Sequence, residues 1–231
     1  MRKWIVSACL ILLVGCSHVI IDWEDFLQFH GEKYFSDAGV ELSDLKFIGE
    51  NIGEIKYTLK DNVKKSNYRS KDGDAAYLKT GTKLYAVINH PDLIAISDPE
   101  KINGYKLYVR EGDQNILDIP TFLPEEPIKK IEIFEELENN EYIFNTMIDQ
   151  KEKIQSFIEL FQTSQSDTSL EYRDDDPKSK SYAIILYSSS PMASKHSIYF
   201  DGGKYFWLNK EYEILSDRIN EFLTPANEEK V

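Results

Sequence analysis

The chain has 231 residues, with 40 acidic and 27 basic side chains and a formal net charge of −13. A chain this acidic is repelled by nucleic acid and by anionic lipid, so net charge argues against both as partners. Hydrophobic residues make up 42% of the chain and aromatic residues 13%, which is enough to bury a core, and the length allows one large domain or two small ones.

The first 15 residues have the pattern of a removable targeting segment. Arg2 and Lys3 form a short basic start, and a mostly apolar run follows from Ile5 to Val14. This run is about half of the roughly 20 apolar residues that a membrane-spanning helix needs. A basic start, a short apolar run and a small residue at the exit are typical of a signal peptide, so we expect residues 1–15 to be removed.

The end of this run resembles a known processing site. Leu13-Val14-Gly15-Cys16 is similar to the bacterial lipobox, the Leu-small-Gly-Cys pattern at the end of lipoprotein signal peptides. The resemblance implies cleavage between Gly15 and Cys16 and a diacylglyceryl group on the Cys16 thiol. Two acyl chains anchor a protein stably. The resemblance therefore implies lipid anchoring on the extracytoplasmic face of the cell membrane, with residues 16–22 as a lipidated tether.

The cysteines and histidines indicate neither a metal site nor thiol chemistry. Cys9 lies in the segment to be removed and Cys16 is consumed by the lipid, so no thiol remains for a disulfide, a nucleophile or zinc. The four histidines are far apart in the sequence: His18, His30, His90 and His196. We expect no metal and no cofactor.

Residues 23–123 are predicted to form a β-rich domain. Aromatic-rich pieces flank His30-Gly31, which indicates a strand or short helix, a turn and a strand. Apolar and polar residues alternate from Gly53 to Leu59, the pattern of a half-buried strand, and the charged stretch 61–74 is typical of a solvated loop. Short, turn-rich connections favour an antiparallel meander of three further strands, at 83–88, 93–97 and 105–110.

A proline-rich stretch marks a domain boundary. Three prolines lie between Ile119 and Pro127, and proline continues neither a helix nor a central strand. We place the connector at 124–127 and expect the regions on either side to fold separately. Residues 225–231 are predicted to be a disordered polar tail.

Residues 128–224 are predicted to form an α+β domain. Alternation at 128–134 and 141–147 indicates a hairpin. Asp149, followed by Glu152, resembles a capping box at the start of a helix that covers residues 150–163. Its apolar stripe is spaced as an amphipathic helix requires: Ile154, Phe157, Ile158 and Phe161.

The remainder of this domain is read from its turns and caps. The polar stretch 164–181 is typical of a loop, and 182–187 of a strand. Residues 197–208 indicate a hairpin that turns at 201–203, and Ser216 is a candidate N-cap of a short closing helix. The sequence thus predicts an α+β fold, mostly antiparallel β. A small all-β unit is followed by an antiparallel sheet with two helices on one face.

A second resemblance rests on residues 73–85. Gly73-Asp-Ala-Ala-Tyr-Leu-Lys-Thr-Gly-Thr-Lys-Leu-Tyr85, together with Trp23-x-Asp-Phe26, Gly31 and Ile52-Gly53-x-Ile55, resembles uncharacterised surface lipoproteins of Gram-positive bacilli. The resemblance covers about residues 20–125. It implies a location and no activity. The alternative interpretation of Gly73 and Gly81 is backbone geometry at turns.

Aspartates and aromatic residues give two candidate sites. Calcium prefers oxygen ligands, which Asp72, Asp74 and the run 174–176 offer, but the spacing does not match an EF-hand and solvated charge is the simpler interpretation. Aromatic platforms for a sugar or a partner are offered by Tyr34, Phe35, Tyr199, Tyr205, Phe206 and Trp207. We name Tyr205 and Trp207 as the candidate interface, with core filling as the alternative.

No catalytic motif is present in the sequence, and 40 acidic residues make some close carboxylate pair a matter of chance. We expect a membrane-anchored, non-catalytic binding or interaction module. Its partner would be an envelope protein or a wall component. The alternatives are a cell-envelope hydrolase with an unrecognised carboxylate site and a carrier of small ligands. The carrier hypothesis is the weaker one, because such receptors usually need two larger α/β lobes, which this length and strand pattern do not supply.

Overall fold

A computed structural model describes residues 21–112, 126–137, 141–168, 176–209 and 211–223. They form two mostly antiparallel β-sheets with a few short helices, which confirms the expectation of a mostly antiparallel β protein. The predicted signal peptide, Cys16, most of the tether, the first half of the connector and the tail lie outside the described residues. None of the helices in these ranges combines the length and the hydropathy of a membrane-spanning segment.

Nine strands are described in the N-terminal half. They are β1 (Phe26–Phe29), β2 (Glu32–Ser36), β3 (Val40–Leu42), β4 (Ile48–Glu54), β5 (Tyr57–Thr58), β6 (Asp74–Ala75), β7 (Lys83–Val87), β8 (His90–Ser97) and β9 (Tyr105–Arg110). All except β3 form the first sheet, in the order β4-β7-β8-β9-β2-β1-β6-β5. A 3-10 helix (Leu45–Phe47) precedes β4, and the single-turn helix α1 (Leu59–Asn62) follows β5.

The β1–β2 hairpin turns where the sequence predicts it. His30 and Gly31 both have positive φ, 52° and 84°. A two-residue turn with positive φ at both positions has the twist that suits a hairpin. The predicted meander is also confirmed, since β7, β8 and β9 are neighbours and pair antiparallel.

The expected strand from Gly53 to Leu59 is not continuous. β4 ends at Glu54, and the backbone amides of Lys56 and Tyr57 both donate to the Gly73 carbonyl oxygen, at 2.7 and 3.2 Å. The chain therefore leaves β7 as its partner and turns towards β6. As a result Tyr57 is exposed, although alternation places it on the same face as the buried Ile55.

The second sheet is built mainly from the C-terminal half. Its elements are β10 (Lys130–Glu136), β11 (Tyr142–Ile148), α2 (Lys151–Gln162), β12 (Gln165–Ser166), β13 (Lys180–Tyr187), β14 (Met192–Phe200), β15 (Tyr205–Leu208), β16 (Tyr212–Ile214), a 3-10 helix (Asp217–Ile219) and α3 (Asn220–Leu223). The strand order is β11-β10-β13-β14-β15-β16-β12. Both predicted hairpins are present, as β10–β11 and β14–β15.

Helix α2 supplies much of the main core. All four residues of its predicted apolar stripe are buried, and the Phe157 ring lies 5.2 Å from that of Phe161 and 5.3 Å from that of Phe222. Each fully buried side chain of this size contributes about 1.5–3 kcal/mol. The predicted capping box at Asp149 was wrong, because Gln150 is the N-cap and its side chain makes no capping hydrogen bond. Ser216 does cap the closing helical turn, as predicted.

Strand β3 connects the two sheets. It comes from the N-terminal half, but it pairs with β14, Leu42 opposite Met192 and Val40 opposite Ser194. The Leu42 side chain is fully buried and packs with the apolar residues of the first sheet, Leu93 and Leu107 among them. One strand therefore contributes its backbone to the second sheet and its side chain to the core of the first.

Candidate functional site

A buried polar cluster lies where β3 joins the second sheet. The Glu41 side chain is fully buried, and Lys101 Nζ lies 3.3 Å from its Oε1. Its Oε2 atom accepts no hydrogen bond from the described residues. Burial raises the pKa of the Glu41 carboxyl, and the charges of Lys101 and Lys195 oppose that rise. The neutral, protonated form of Glu41 is therefore more favoured in this buried position than it would be in water.

The surroundings of Glu41 hold the two sheets together. Asn103 Nδ2 donates to the Leu42 carbonyl oxygen at 2.6 Å, and Ser43 Oγ donates to the Ser190 carbonyl oxygen at 2.6 Å. Only 1% of Glu41 is exposed, so a polymeric substrate does not reach its carboxyl in this arrangement. The cluster forms a structural joint between the sheets.

Two other carboxylates, on β10, are already occupied by tyrosines. Tyr187 OH donates to Glu132 Oε2 at 2.7 Å, and Tyr142 OH donates to Glu136 Oε1 at 3.2 Å. Burial raises the pKa of both tyrosines, so both remain donors at neutral pH. A glycosidase needs one carboxyl to protonate the leaving group and another to act as base or nucleophile. These engaged groups give that chemistry no support.

The structure places Tyr205 and Trp207 in the main core. They are 9% and 6% exposed, and both pack in the cluster that contains α2. Tyr205 OH donates to Asn220 Oδ1 at 2.8 Å, and Trp207 Nε1 donates to Ser164 Oγ at 3.2 Å. Their burial does not match the expected interface. It matches the alternative of core filling, because side chains that face the helices offer no surface to a partner.

The other aromatic candidates lie on different parts of the two sheets. Phe206 is fully buried and stacks on Tyr199 with ring centroids 5.6 Å apart. Tyr34 is buried in the first sheet, and Phe35 packs beside a separate cluster. The structure therefore does not bring the six predicted aromatic residues together as one platform.

Asp72 and Asp74 of the charged loop accept hydrogen bonds from other groups of the protein. Asp74 is buried in β6, where it accepts hydrogen bonds from Tyr68 OH and from the Lys71 amide, both at 2.8 Å. Its bond to Tyr68 raises the pKa of that tyrosine to about 12. Asp72 accepts from the Gly31 amide at 2.7 Å. In the described ranges no three metal-ligating side chains are grouped around one point, and two of the three aspartates at 174–176 lie outside these ranges.

The largest concentration of exposed apolar side chains is on the β10–β11 hairpin. The sequence predicted this hairpin but did not indicate it as a candidate site. Nine large hydrophobic side chains of the described chain are exposed, and four of them belong to this hairpin: Leu137, Ile143, Phe144 and Met147. Phe144 is 56% exposed, and its ring packs edge-on against Phe134 with centroids 5.7 Å apart. The only signal in the sequence was the absence of charge from Tyr142 to Ile148.

The same hairpin presents an open strand edge. Among the described residues, β11 pairs with β10 alone and is the first strand of the sheet order. The pairing shifts register between Ile133 and Phe134, and Asn145 at this bulge donates to the Leu223 carbonyl oxygen at 2.7 Å. Bulges restrict non-specific pairing at sheet edges. The exposed acids Glu141 and Asp149 flank the uncharged strand.

One comparison with known proteins gives a match, and it covers most of this second sheet. A family model described as a domain of unknown function (DUF5300) matches residues 117–215, less than half of the chain. The matched segment includes β10 to β16, and it excludes β3 and the closing helices. No curated protein matches the chain, and no solved structure matches it. The chain is similar to that family in its C-terminal half, and the family carries no assigned activity.

Proposed function

We propose that the protein is a lipid-anchored, extracytoplasmic lipoprotein whose folded part binds a protein or wall component and does not catalyse a reaction. The anchoring is supported by Leu13-Val14-Gly15-Cys16, and the resemblance of residues 73–85 to surface lipoproteins of Gram-positive bacilli supports the same location. Cys16 is the only cysteine that remains after the expected cleavage. A lipid on its thiol therefore gives this cysteine its role.

The binding role rests on one observation, the exposed apolar edge at β11. A strand edge with unpaired backbone groups accepts an extended segment from a partner by strand addition. Apolar patches on a folded surface commonly mark such contacts. Because Glu141 and Asp149 flank this edge, the segment that fits is apolar in its centre and carries Lys or Arg at its ends. The occupant we propose is a segment of this kind from an envelope protein.

The two rival functions have weaker support. A cell-envelope hydrolase needs two carboxyls placed on either side of the bond it cleaves, and the hydrogen bonds of Glu132 and Glu136 to tyrosines give no indication of such a pair. A small-ligand carrier requires a concave site with converging polar groups, and such receptors usually have two larger lobes of the α/β type. The described chain has two mostly antiparallel sheets instead.

We also propose that the second unit is of the α+β type, with two helices on one face of its sheet. The supporting observation is that α2 and the closing helices share one core cluster with β10, β13 and β15. In this arrangement β11 lies at the edge of the layer that the helices cover.

Anchoring is tested by metabolic labelling with a fatty-acid analogue. Wild-type chain should be labelled, whereas Cys16→Ser should remain uncut and unlabelled, because only a thiol forms the thioether. Cys9→Ser is the matched control and should be labelled like the wild type. Equal labelling of Cys16→Ser and wild type would refute the anchoring.

Binding is tested by a photo-crosslinking amino acid placed at Phe144 or at Leu208. Both positions are 56% exposed, so they are matched in access and differ in location. Adducts should form at 144 and not at 208, and the captured peptide should be an apolar stretch with basic ends. Equal capture at both positions, or capture of a second copy of β11, would refute this binding site.

A further inference from the structure

A basic stretch of sequence lies near the start of the described chain, although the protein as a whole is acidic. From Lys56 to Lys79 the sequence has seven basic and three acidic residues, a net charge of +4, against −13 for the whole chain. All seven basic side chains are exposed. Of the three acids, Asp74 is buried and Asp72 accepts a hydrogen bond from a backbone amide. We call residues 56–79 the basic segment.

Within the described ranges the basic segment has little direct charge pairing, and Lys56 is only a minor cause, after Lys83, of the lowered pKa of Glu54. The ion pairs found in the described ranges include none of its seven basic side chains. Lys60 Nζ instead lies 5.4 Å from the ring centroid of Tyr77. The positive charge of this segment is therefore available to an external anion.

Aromatic side chains accompany these charges. Tyr57 and Tyr77 are exposed, and Tyr57 stacks on Tyr68 with centroids 6.4 Å apart. Tyr77 OH donates to the Trp23 carbonyl oxygen at 2.5 Å, which joins the segment to the first described residues. Tyrosine and tryptophan combine an apolar body with a polar tip, and lysine combines an apolar stem with a charge. Both combinations suit a membrane interface.

The first described residues pack against the basic segment. Ile21 and Trp23 pack on the same cluster as Tyr68, around the buried Leu59 and Val63. Cys16 is five residues before Ile21, and an extended chain spans at most about 3.6 Å per residue, or about 18 Å in all. A lipid on Cys16 would therefore hold the basic segment close to the bilayer.

We propose that the basic segment is the membrane-facing surface of the protein and contacts anionic phospholipid headgroups. This inference rests on the proposed anchoring at Cys16. The net charge of the whole chain favours repulsion from anionic lipid. Most of the acidic residues that give this net charge lie outside the basic segment, however. Attraction acts mainly within about one Debye length, so the local charge decides the contact. The protein thus docks in one orientation on the surface to which it is tethered.

The test is flotation of the purified full chain with vesicles, in a Cys16→Ser background so that no variant carries lipid. Vesicles of phosphatidylcholine alone are compared with vesicles that also contain phosphatidylglycerol. Lys60→Glu/Lys64→Glu changes the basic segment, and Lys151→Glu/Lys153→Glu makes the same charge change at exposed positions of α2. Circular dichroism of each variant checks that it is folded. The apolar N-terminal segment is common to all, so its contribution cancels.

Phosphatidylglycerol should strengthen binding of the parent chain, and added salt should reverse the gain. The basic-segment variant should lose about tenfold or more of that gain, because each basic side chain near an anionic surface contributes about fivefold. The α2 variant should lose much less. Equal losses in the two variants, or no gain from phosphatidylglycerol, would overturn the inference. Fatty-acid labelling tests the anchoring at Cys16, and vesicle flotation tests the membrane contact of the basic segment. Each experiment can fail without the other, so the two proposals are distinguishable.

Discussion

Glu41 and Lys101 form an ion pair that spans the two sheets, with Lys101 Nζ 3.3 Å from Glu41 Oε1. Glu41 belongs to β3, which pairs in the second sheet, and Lys101 lies in the turn between β8 and β9 of the first. Removing one partner of a buried pair leaves the other charge uncompensated, at a cost of about 3–5 kcal/mol. The stability of the contact between the two sheets therefore depends on the charges of Glu41 and Lys101.

The first prediction concerns pH. The folded-state pKa of Glu41 is raised above its usual 4.5. Its contribution to stability is therefore fully present below that value and is lost as pH rises through the raised folded-state value. In Glu41→Gln this dependence should disappear. Urea unfolding of both proteins from acid to neutral pH measures it, with the exposed Glu50→Gln as control. Parallel curves for Glu41→Gln and wild type would contradict it.

The second prediction concerns the core under α2. Phe157 is fully buried, so Phe157→Ala should lower the free energy of unfolding by about 3–5 kcal/mol. The control is Phe144→Ala, which removes the same ring from an exposed site and should change stability by only about 0.5 kcal/mol. Denaturant unfolding compares the two. Similar losses would show that the core assignment is wrong.

The third prediction separates backbone strain from steric clash at two glycines. Gly31 and Gly73 have φ of +84° and +91°, which strains any alanine, at a cost of about 1–2 kcal/mol. A Cβ at Gly31 meets nothing within 4 Å, whereas at Gly73 it lies 2.8 Å from Lys56 Cδ. Gly73→Ala should therefore destabilise more than Gly31→Ala. The difference in destabilisation between the two variants should become smaller in a Lys56→Ala background. An unchanged difference would show that a clash with Lys56 is not its cause.

The fourth prediction concerns the coupling of the two units. Leu42→Ala should cost about 2–5 kcal/mol, since this fully buried residue lies on the shared strand. Trp207 fluorescence and hydrogen exchange in β8 should report the same shift, one probe in each sheet. Proteolytic cutting at the predicted connector, 124–127, should leave the pieces associated. A shift in one probe only would support the separately folded units that the connector suggests.

The fifth prediction concerns metal. Asp72 and Asp74 already accept hydrogen bonds from the protein, so a chelator should leave the melting temperature unchanged. Calorimetry with and without EDTA measures this. A fall of many degrees would show that a cation stabilises the aspartate loops.

Sequence periodicity predicted the local elements well. The β10–β11 and β14–β15 hairpins, the meander β7–β9 and helix α2 all follow from alternation, helical spacing and turn residues, which act over a few positions. The strand expected from Gly53 to Leu59 was wrong as a continuous element, because alternation does not reveal that the chain changes its partner at Lys56.

The long-range features could not be read from the sequence in this way. Nothing local to Val40–Leu42 shows that β3 leaves its own sheet, and Glu41 would ordinarily be placed in solvent because charged side chains are seldom buried. Nothing in the local sequence shows that Tyr205 and Trp207 are buried, because their burial comes from packing with residues of α2 that are distant in the chain. The exposed edge at β11 was visible only as an uncharged strand, since exposure depends on what the rest of the fold leaves uncovered.

The position of β3 has a consequence for how the molecule matures. Ser43 and Ser190, which join its end to the second sheet, are 147 positions apart, so β3 is synthesised long before the strand it pairs with. Contacts of this range slow folding, and until they form the place beside β14 is open to β3 of another molecule. Packing of Leu42 into the first sheet keeps the strand with its own chain during that interval. This packing thus favours pairing of β3 with its own β14 over exchange between molecules.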